Sequence, residues 1–521
     1  RAASRPEVLM AAPETGFRRS PQPQAAEDGR TVDVMAVYYP HWHRYPKGDE
    51  WFGAENWKEG EWAFVKTPKT RFKGQINFKP LAGYLNGADP ADVETEIALA
   101  SNAGINVFLY DYYWYNGEKT QEEAIEKGFL KAKNRDKMKF ALMWCYHERK
   151  DAFRIPYSKE RRDLMSLAHT PEEFLGLIDY SIAHYFNQPE YYRKDGRLFF
   201  SIYRFCYLWE TWGKDDAKVR DAIQEARRRV RAAGLGELHI NAQGVRPEMM
   251  EQMAALGLDS FTDYGFNAYN VRDCFARFKA GETCFDYKEI DGLLQNNWAE
   301  KRKASPIPYI PIVPTGWDST LRCRHDVPFP WNGEIIYPYS PTFTNNTDVI
   351  FEKYLRDAKA SALADPKKPG IVYINAWNEY TEGCWLLPDV RRGDLKLRAV
   401  ARVFGRHPAG KYAFTRLCPY WEGDKAPTQK ARFTDVPDFE NVKYGPHERQ
   451  GMDVWLPKSK TSAKGGTPVV IVIHGGGWTC GDRLPDAAGI LNDCRARGIA
   501  LVTVGYRFIA DANDQGMLEM A

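Results

Sequence analysis

Eight short runs of apolar, β-branched or aromatic residues recur between positions 34 and 375, each separated from the next by room for a helix. They fall at 34–39, 106–112, 139–145, 198–203, 238–241, 260–263, 309–313 and 371–375. Runs that stay apolar rather than alternating fit strands covered on both faces, as in parallel sheets. Amphipathic stretches at 90–103, 122–133, 171–185, 216–233, 247–256 and 350–363 lie between them. Asp89-Pro90, Thr170-Pro171 and Arg246-Pro247 are helix-start signals, and Gly104, Gly234 and Gly257 stand at the expected helix ends. Strands and helices in this number predict an α/β fold, a (β/α)8 TIM-type barrel with enlarged loops. A doubly wound open sheet is the alternative.

Polar and aromatic residues gather just past the strand ends. Tyr39 and His41-Trp42-His43 follow the first run, and Tyr113-Trp114-Tyr115-Asn116-Gly117 the second. Tyr146-His147-Glu148, Arg204, Gln243, Asp263-Tyr264 and Gly316-Trp317-Asp318 follow later ones. The eighth run leads into Trp377-Asn378-Glu379-Tyr380-Thr381-Glu382-Gly383. A barrel collects these ends into one mouth, where the fold keeps its chemistry. Two carboxylates among aromatic rings are the minimum equipment for cleaving a glycosidic bond. Three residues of extended chain span at most about 10–11 Å, so Glu379 and Glu382 can reach one bound sugar. They are the candidate catalytic pair. Tyr39, His41, Asp111, Tyr113, Trp114, His147, Tyr203, Gln243, Trp317, Asp318 and Asn378 are candidates for substrate binding. Of these, Trp114 and Trp317 offer faces for stacking on sugar rings, and Asp111 a partner for a sugar hydroxyl.

The totals narrow the partners. With 72 basic and 69 acidic residues the chain gives no electrostatic case for nucleic acid. No apolar run approaches the roughly 18–20 residues of a membrane span. His41, His43 and His147 show no ligand spacing, and nine cysteines include no CxxC pair, so no metal and no cofactor is expected. Cys145 and Cys206 read as free buried thiols, while Cys274, Cys284 and Cys323 leave a bridge open. Residues 1–30, rich in Ala, Pro and Arg, read as a flexible lead in which no signal peptide is visible. A polysaccharide substrate would suit a secreted or periplasmic protein, with a cytoplasmic one as the alternative.

Four segments carry a family resemblance. Tyr38-Tyr39-Pro40 with Asp49-Glu50-Trp51, the run Asp111–Gly117, Pro314-Thr315-Gly316-Trp317-Asp318, and Asn375–Gly383 resemble WbsX-like domains, which are related to glycoside hydrolase family 99. The resemblance covers about residues 31–405. It implies a barrel acting on glycans without a metal, by retaining cleavage of α-mannosidic bonds. Carried over, Glu379 would be the base that deprotonates the sugar's own 2-hydroxyl, giving an epoxide-like intermediate. Glu382 would protonate the leaving oxygen and then activate water. Tyr380 stands where tryptophan is usual, and Cys384-Trp385 replaces a more polar continuation, so the sugar is left open. WbsX-like domains have also been labelled glycosyltransferases. Transfer from an activated donor, or a barrel that binds glycan without turnover, are the alternatives.

A second domain is expected after a linker at 406–440, which is rich in Pro, Gly and charge. In residues 441–521 the run Pro468–His474 reads as a buried strand entering Gly475-Gly476-Gly477-Trp478. It resembles the opening of α/β-hydrolase esterases, whose HGGG-type loop supplies oxyanion-hole amides. That resemblance assigns the role to Gly475, Gly476 and Gly477. No G-x-S-x-G nucleophile elbow follows, so a truncated, inactive esterase domain with an unprotected sheet edge is expected.

Overall fold

The computed structural model describes residues 32–62, 65, 80, 82–150, 163–265, 272–319, 341–389, 394–405, 437–447, 449–457, 466–474 and 488–507, with short strands at Val8–Met10 and Tyr412–Phe414. Eight strands form one parallel sheet: β1 Asp33–Tyr38, β2 Val107–Tyr115, β3 Lys139–Cys145 and β4 Arg197–Tyr203, then β5 Leu238–Gln243, β6 Ser260–Thr262, β7 Ile312–Pro314 and β8 Ile371–Asn375. Their order is β6-β5-β4-β3-β2-β1-β8-β7. One parallel bridge, Phe261 with Tyr309, joins β6 to β7 and closes the ring. There the Phe261 N–H donates to the Pro308 carbonyl, and the Ile310 N–H to that of Phe261.

The pairing register identifies the barrel type. Carried from partner to partner, position 35 on β1 maps through 107, 139, 197, 237, 256, 304 and 365 and returns at position 27. The shift is eight residues, the shear of a (β/α)8 barrel. This closure excludes the open sheet.

Helices α1 Pro90–Ala103, α2 Pro171–His184, α3 Asp216–Ala232, α4 Leu293–Ala304 and α5 Asp348–Ala364 pack outside, followed by α6 Leu395–Phe404. The start of α1 follows its sequence signal: the Asp89 carboxylate accepts the Ala91 N–H, and Gly104 ends the helix at φ 92. Two expected helices are corrected. Segment 122–133 folds as a π turn, Ala124–Gly128, and a 3-10 turn, Phe129–Lys131. Gly128 lies so close to the Gly87 carbonyl that a Cβ would sit 2.1 Å from its oxygen. Segment 247–256 keeps only the 3-10 turn Pro247–Met249 before running on as turns that bury Met250 and Met253. Conversely α4 escapes the sequence reading, because only Leu294, Trp298 and the stem of Lys301 are buried along it.

A second, smaller core lies toward the C-terminus. Strands β9 Phe439–Lys443, β10 Gly451–Trp455, β11 Val469–Ile473 and β12 Ala500–Val504 form a sheet ordered β9-β10-β12-β11, with α7 Ala488–Ala496 against it. β11 is parallel to β12 and the other pairs are antiparallel. The expectation that 468–474 is a buried strand is corrected: among the described residues β11 is an edge, and Val469, Ile471 and Ile473 on one face are exposed, Ile471 by 62%. Helix α6 joins the two cores. Leu395 packs with Trp455, Leu491, Cys494 and Leu501, while Leu397, Val400 and Val403 belong to the barrel core. Arg402 pairs with Glu440 at 2.9 Å and with Glu352 of α5 at 2.6 Å. Cys145 and Cys206 are buried free thiols, and Cys274 and Cys284 are not joined to each other. Among the described residues no helix is long and apolar enough to cross a membrane.

Candidate active site

The turn after β8 carries both glutamates. Asn378-Glu379 pairs with Cys384-Trp385 as a two-residue ladder around the 3-10 turn Tyr380–Glu382. Gly383 closes it at φ 72, where a Cβ would meet the Asp318 nitrogen at 2.4 Å. The Asp318 N–H donates to the Glu382 carbonyl at 2.6 Å, so the 316–318 strap lies on the glutamate turn. Asn378, wholly buried, accepts the Tyr39 N–H at 2.7 Å and ties the turn to the end of β1.

One hydroxyl joins the two carboxylates. Tyr264, just past β6, donates to Glu379 Oε2 at 2.6 Å and lies 3.5 Å from Glu382 Oε2. Burial, then the charges of Glu379 and Glu382, raise the Tyr264 phenol well above its ordinary range, so it stays protonated and keeps donating. Asp111 and Tyr203 face the same phenol, and the Tyr203 ring is 4.9 Å from that of Tyr264. Cys145 feels the charges of both Asp111 and Glu379. Burial and then the Asp111 charge push its thiol well up, leaving it a neutral wall.

The period of β2 sorts its aromatic run. Asp111 and Tyr113 point to the mouth, where Tyr113 is raised by burial and by Cys145 and Asp111. Tyr112 and Trp114 point outward, packing on Tyr185 and on Tyr180 of α2. The expectation that Trp114 stacks on sugar is therefore corrected: β2 runs on through Tyr115, so Trp114 takes the helix-facing side.

A buried layer supports the mouth. Glu61 accepts from the Tyr39 hydroxyl at 2.8 Å and from the Thr381 hydroxyl at 3.2 Å, and His41 Nδ1 lies 3.1 Å from it. The His41 ring stacks on Tyr39 at 4.1 Å and receives Arg149 Nη2 at 3.1 Å. His41 is 0% exposed, so it belongs to this layer beneath the mouth and does not face a ligand. Gln243 is likewise inside the ring, donating to Ser201 at 3.3 Å. His147 stands at the rim, edge-on to Tyr113 and Tyr203. Burial drops it to about 4, so it is neutral at neutral pH. Trp317 is half-buried at the strap and bridges Phe343.

Glu379, Glu382, Asp111, Tyr113 and Tyr203 thus meet around Tyr264, with His147 at the rim and Asn378, Asp318, Tyr39, His41 and Gln243 as the frame. Sequence reading placed Tyr264 among the strand-end residues but gave it no role, and passed over Glu61 and Arg149. Glu61 sits in a loop without periodicity, so only its contacts reveal it. Gly475, Gly476 and Gly477 lie outside the described residues.

A closed eight-stranded barrel with an acidic, aromatic mouth is the class defined by fold and site. The chain belongs to the family described as Glycosyltransferase WbsX, whose model matches residues 34–400. Residues 452–518 match the BD-FAE family model. The uncharacterized protein WxcX of Xanthomonas campestris pv. campestris is 26% identical over 392 residues, covering 72% of this chain and 50% of that protein. The chain therefore spans about half the length of the curated relatives it matches. Among solved structures, a glycoside hydrolase-like protein is 18% identical at a TM-score of 0.46, over 75% of this chain and 98% of that one. The GH99 endo-α-mannosidase from Bacteroides thetaiotaomicron is 16% identical at a TM-score of 0.43, over 71% and 96%.

Proposed function

We propose that the barrel is a retaining glycoside hydrolase acting on a polysaccharide, with Glu379 and Glu382 as its catalytic pair. The observation that carries this reading is the shared Tyr264 hydroxyl. Distances of 2.6 and 3.5 Å from one atom leave the two carboxylate oxygens no more than about 6 Å apart. Both carboxylates can therefore act on one sugar, the first toward its 2-hydroxyl and the second toward its leaving oxygen. Glu379, held by the Tyr264 hydroxyl, acts in this reading as the base toward the sugar 2-hydroxyl. Glu382 delivers a proton in this reading to the leaving oxygen and then activates water. Asp111, Tyr113, Tyr203, His147 and Trp317 surround the sugar. In this reading residues 31–405 form the glycan-acting unit, and 441–521 belong to an esterase-like unit.

The family description favours a second reading, transfer of the glycosyl group to a sugar acceptor instead of water. The test is a screen of the purified protein on α-mannans and acylated plant or algal polysaccharides beside Glu379→Gln and Glu382→Gln. Product anomers are followed by NMR from the first minutes. Retained configuration and loss of cleavage in both variants are expected. Full activity in either variant overturns the pair, and turnover only with an activated sugar donor supports transfer.

A further inference from the structure

At the β4 end of the mouth, one arginine has no paired acid among the described residues. Arg204 follows Tyr203 in a left-handed backbone conformation, φ 58 and ψ 43, which a side chain with a Cβ adopts at a cost. Its guanidinium lies 4.6 Å above the Tyr207 ring, half-buried. Its charge acts on Tyr203 and on His147, the two rings at the rim of the mouth. Tyr203 in turn packs on Tyr264, which holds Glu379.

The nearby acids are taken. Glu148 accepts from the Tyr207 hydroxyl at 2.6 Å and lies 3.0 Å from His169 Nε2. Glu210 pairs with Arg246 at 2.5 Å. Among the described residues no carboxylate comes within ion-pair distance of Arg204. Arg149, a second cation among the described residues near the mouth, is buried against His41 and the Tyr113 ring. A planar, half-desolvated guanidinium that meets a ring but no carboxylate among the described residues is suited to bidentate capture of an oxyanion. Asp111, Glu379 and Glu382 make the mouth acidic, so an anionic glycan would be repelled unless a cation received its charge.

We infer that Arg204 receives an anionic substituent, a carboxylate or sulfate, on the glycan that enters the mouth. The inference rests on the glycan-acting reading above and narrows its substrate class to acidic polysaccharides.

Binding to the Glu382→Gln protein tests it apart from turnover. The probes are hexuronate oligosaccharides beside their carboxyl-reduced forms, and sulfated galactan oligosaccharides beside desulfated ones. At least one acidic probe is expected to bind about tenfold more tightly than its neutral counterpart, with the gap narrowing as salt rises. Adding Arg204→Gln brings that ratio to about one, and Arg204→Lys, which keeps the charge but not the fork, leaves it between. The arm that shows the effect separates carboxylate from sulfate. A ratio that survives Arg204→Gln in a protein melting at the parent temperature overturns the inference, as does no acidic preference in the parent. Wild type that cleaves neutral glycans while its parent ratio is one overturns Arg204 alone. An Arg204-dependent ratio without cleavage of any probe overturns the hydrolase reading alone.

Discussion

The Tyr264 hydroxyl and the Glu379 carboxylate stand 2.6 Å apart, although they leave the barrel from β6 and from β8. Between them they set the spacing of the glutamate pair. Tyr264→Phe removes the hydroxyl and nothing else. A hydrogen bond to a charged group contributes roughly 1.5–3 kcal/mol, so kcat/KM should fall about 10- to 100-fold. Steady-state kinetics beside a melting curve read both quantities. An unchanged kcat/KM would remove Tyr264 from the mechanism.

Glu382 is assigned the proton that the leaving oxygen takes, and that need depends on the leaving group. Glu382→Gln should lose about 10²- to 10⁴-fold on a sugar leaving group. On an aryl glycoside with a weakly basic phenolate, the first step needs little protonation, and the loss should shrink. Equal losses on both substrates would argue against an acid role.

Glu61 holds the Tyr39 hydroxyl, His41 and Thr381 together. Glu61→Ala leaves these groups without their acceptor and should cost roughly 3–5 kcal/mol in stability. Glu61→Gln keeps an acceptor oxygen and should cost less. Urea unfolding gives both values, and equal losses would mean that the charge does not matter.

Glu96 on α1 is buried beneath the same turn, accepting from the Tyr38 hydroxyl at 2.6 Å and from Trp377 Nε1 at 3.2 Å. Burial raises it from 4.5 to about 7. Between those values the folded protein holds a proton that the unfolded chain releases, so stability should decline as pH climbs from about 4.5 to about 7 and level off above. The slope attributable to one such group is at most about 1.4 kcal/mol per pH unit. Glu96→Gln should flatten it. Denaturant midpoints from pH 4 to 8, compared between wild type and variant, decide the matter.

Ile471 presents its side chain to solvent on the edge strand β11. Ile471→Lys should leave the melting temperature within a degree or two and reduce self-association, because a charge on an exposed edge disfavours pairing with another chain. Sedimentation at rising concentration measures it. A large drop in melting temperature would show that the face is covered.

The barrel was legible because its parallel strands are apolar throughout, so period and spacing announced eight of them. The mouth was legible to the same extent, since strand ends are fixed by where the apolar runs stop. Trp114 was misread because the boundary of β2 lies three residues beyond its apolar core, and each added residue reverses the facing side. Helix α4 and the support by Glu61 were illegible for another reason. Their residues are polar, and only tertiary partners, such as Thr381 for Glu61, give them meaning. The buried reading of β11 failed because a run of valine and isoleucine says nothing about which side of it another layer covers.

The ring closes at β6 and β7 through one bridge, whereas β2 and β3 share six paired positions. Beside that bridge Asp263 is clamped by Lys301 of α4, Asn297 and the Tyr309 hydroxyl. If the seam breathes, the first side chain to move with it is Tyr264, the next residue along. The amides of Phe261 and Ile310 should then exchange with solvent faster than those of β3, and each opening would briefly release the two glutamates from their common donor. The least-stitched joint of the barrel would thus act as its timing element, coupling backbone motion to the ionic state of the mouth.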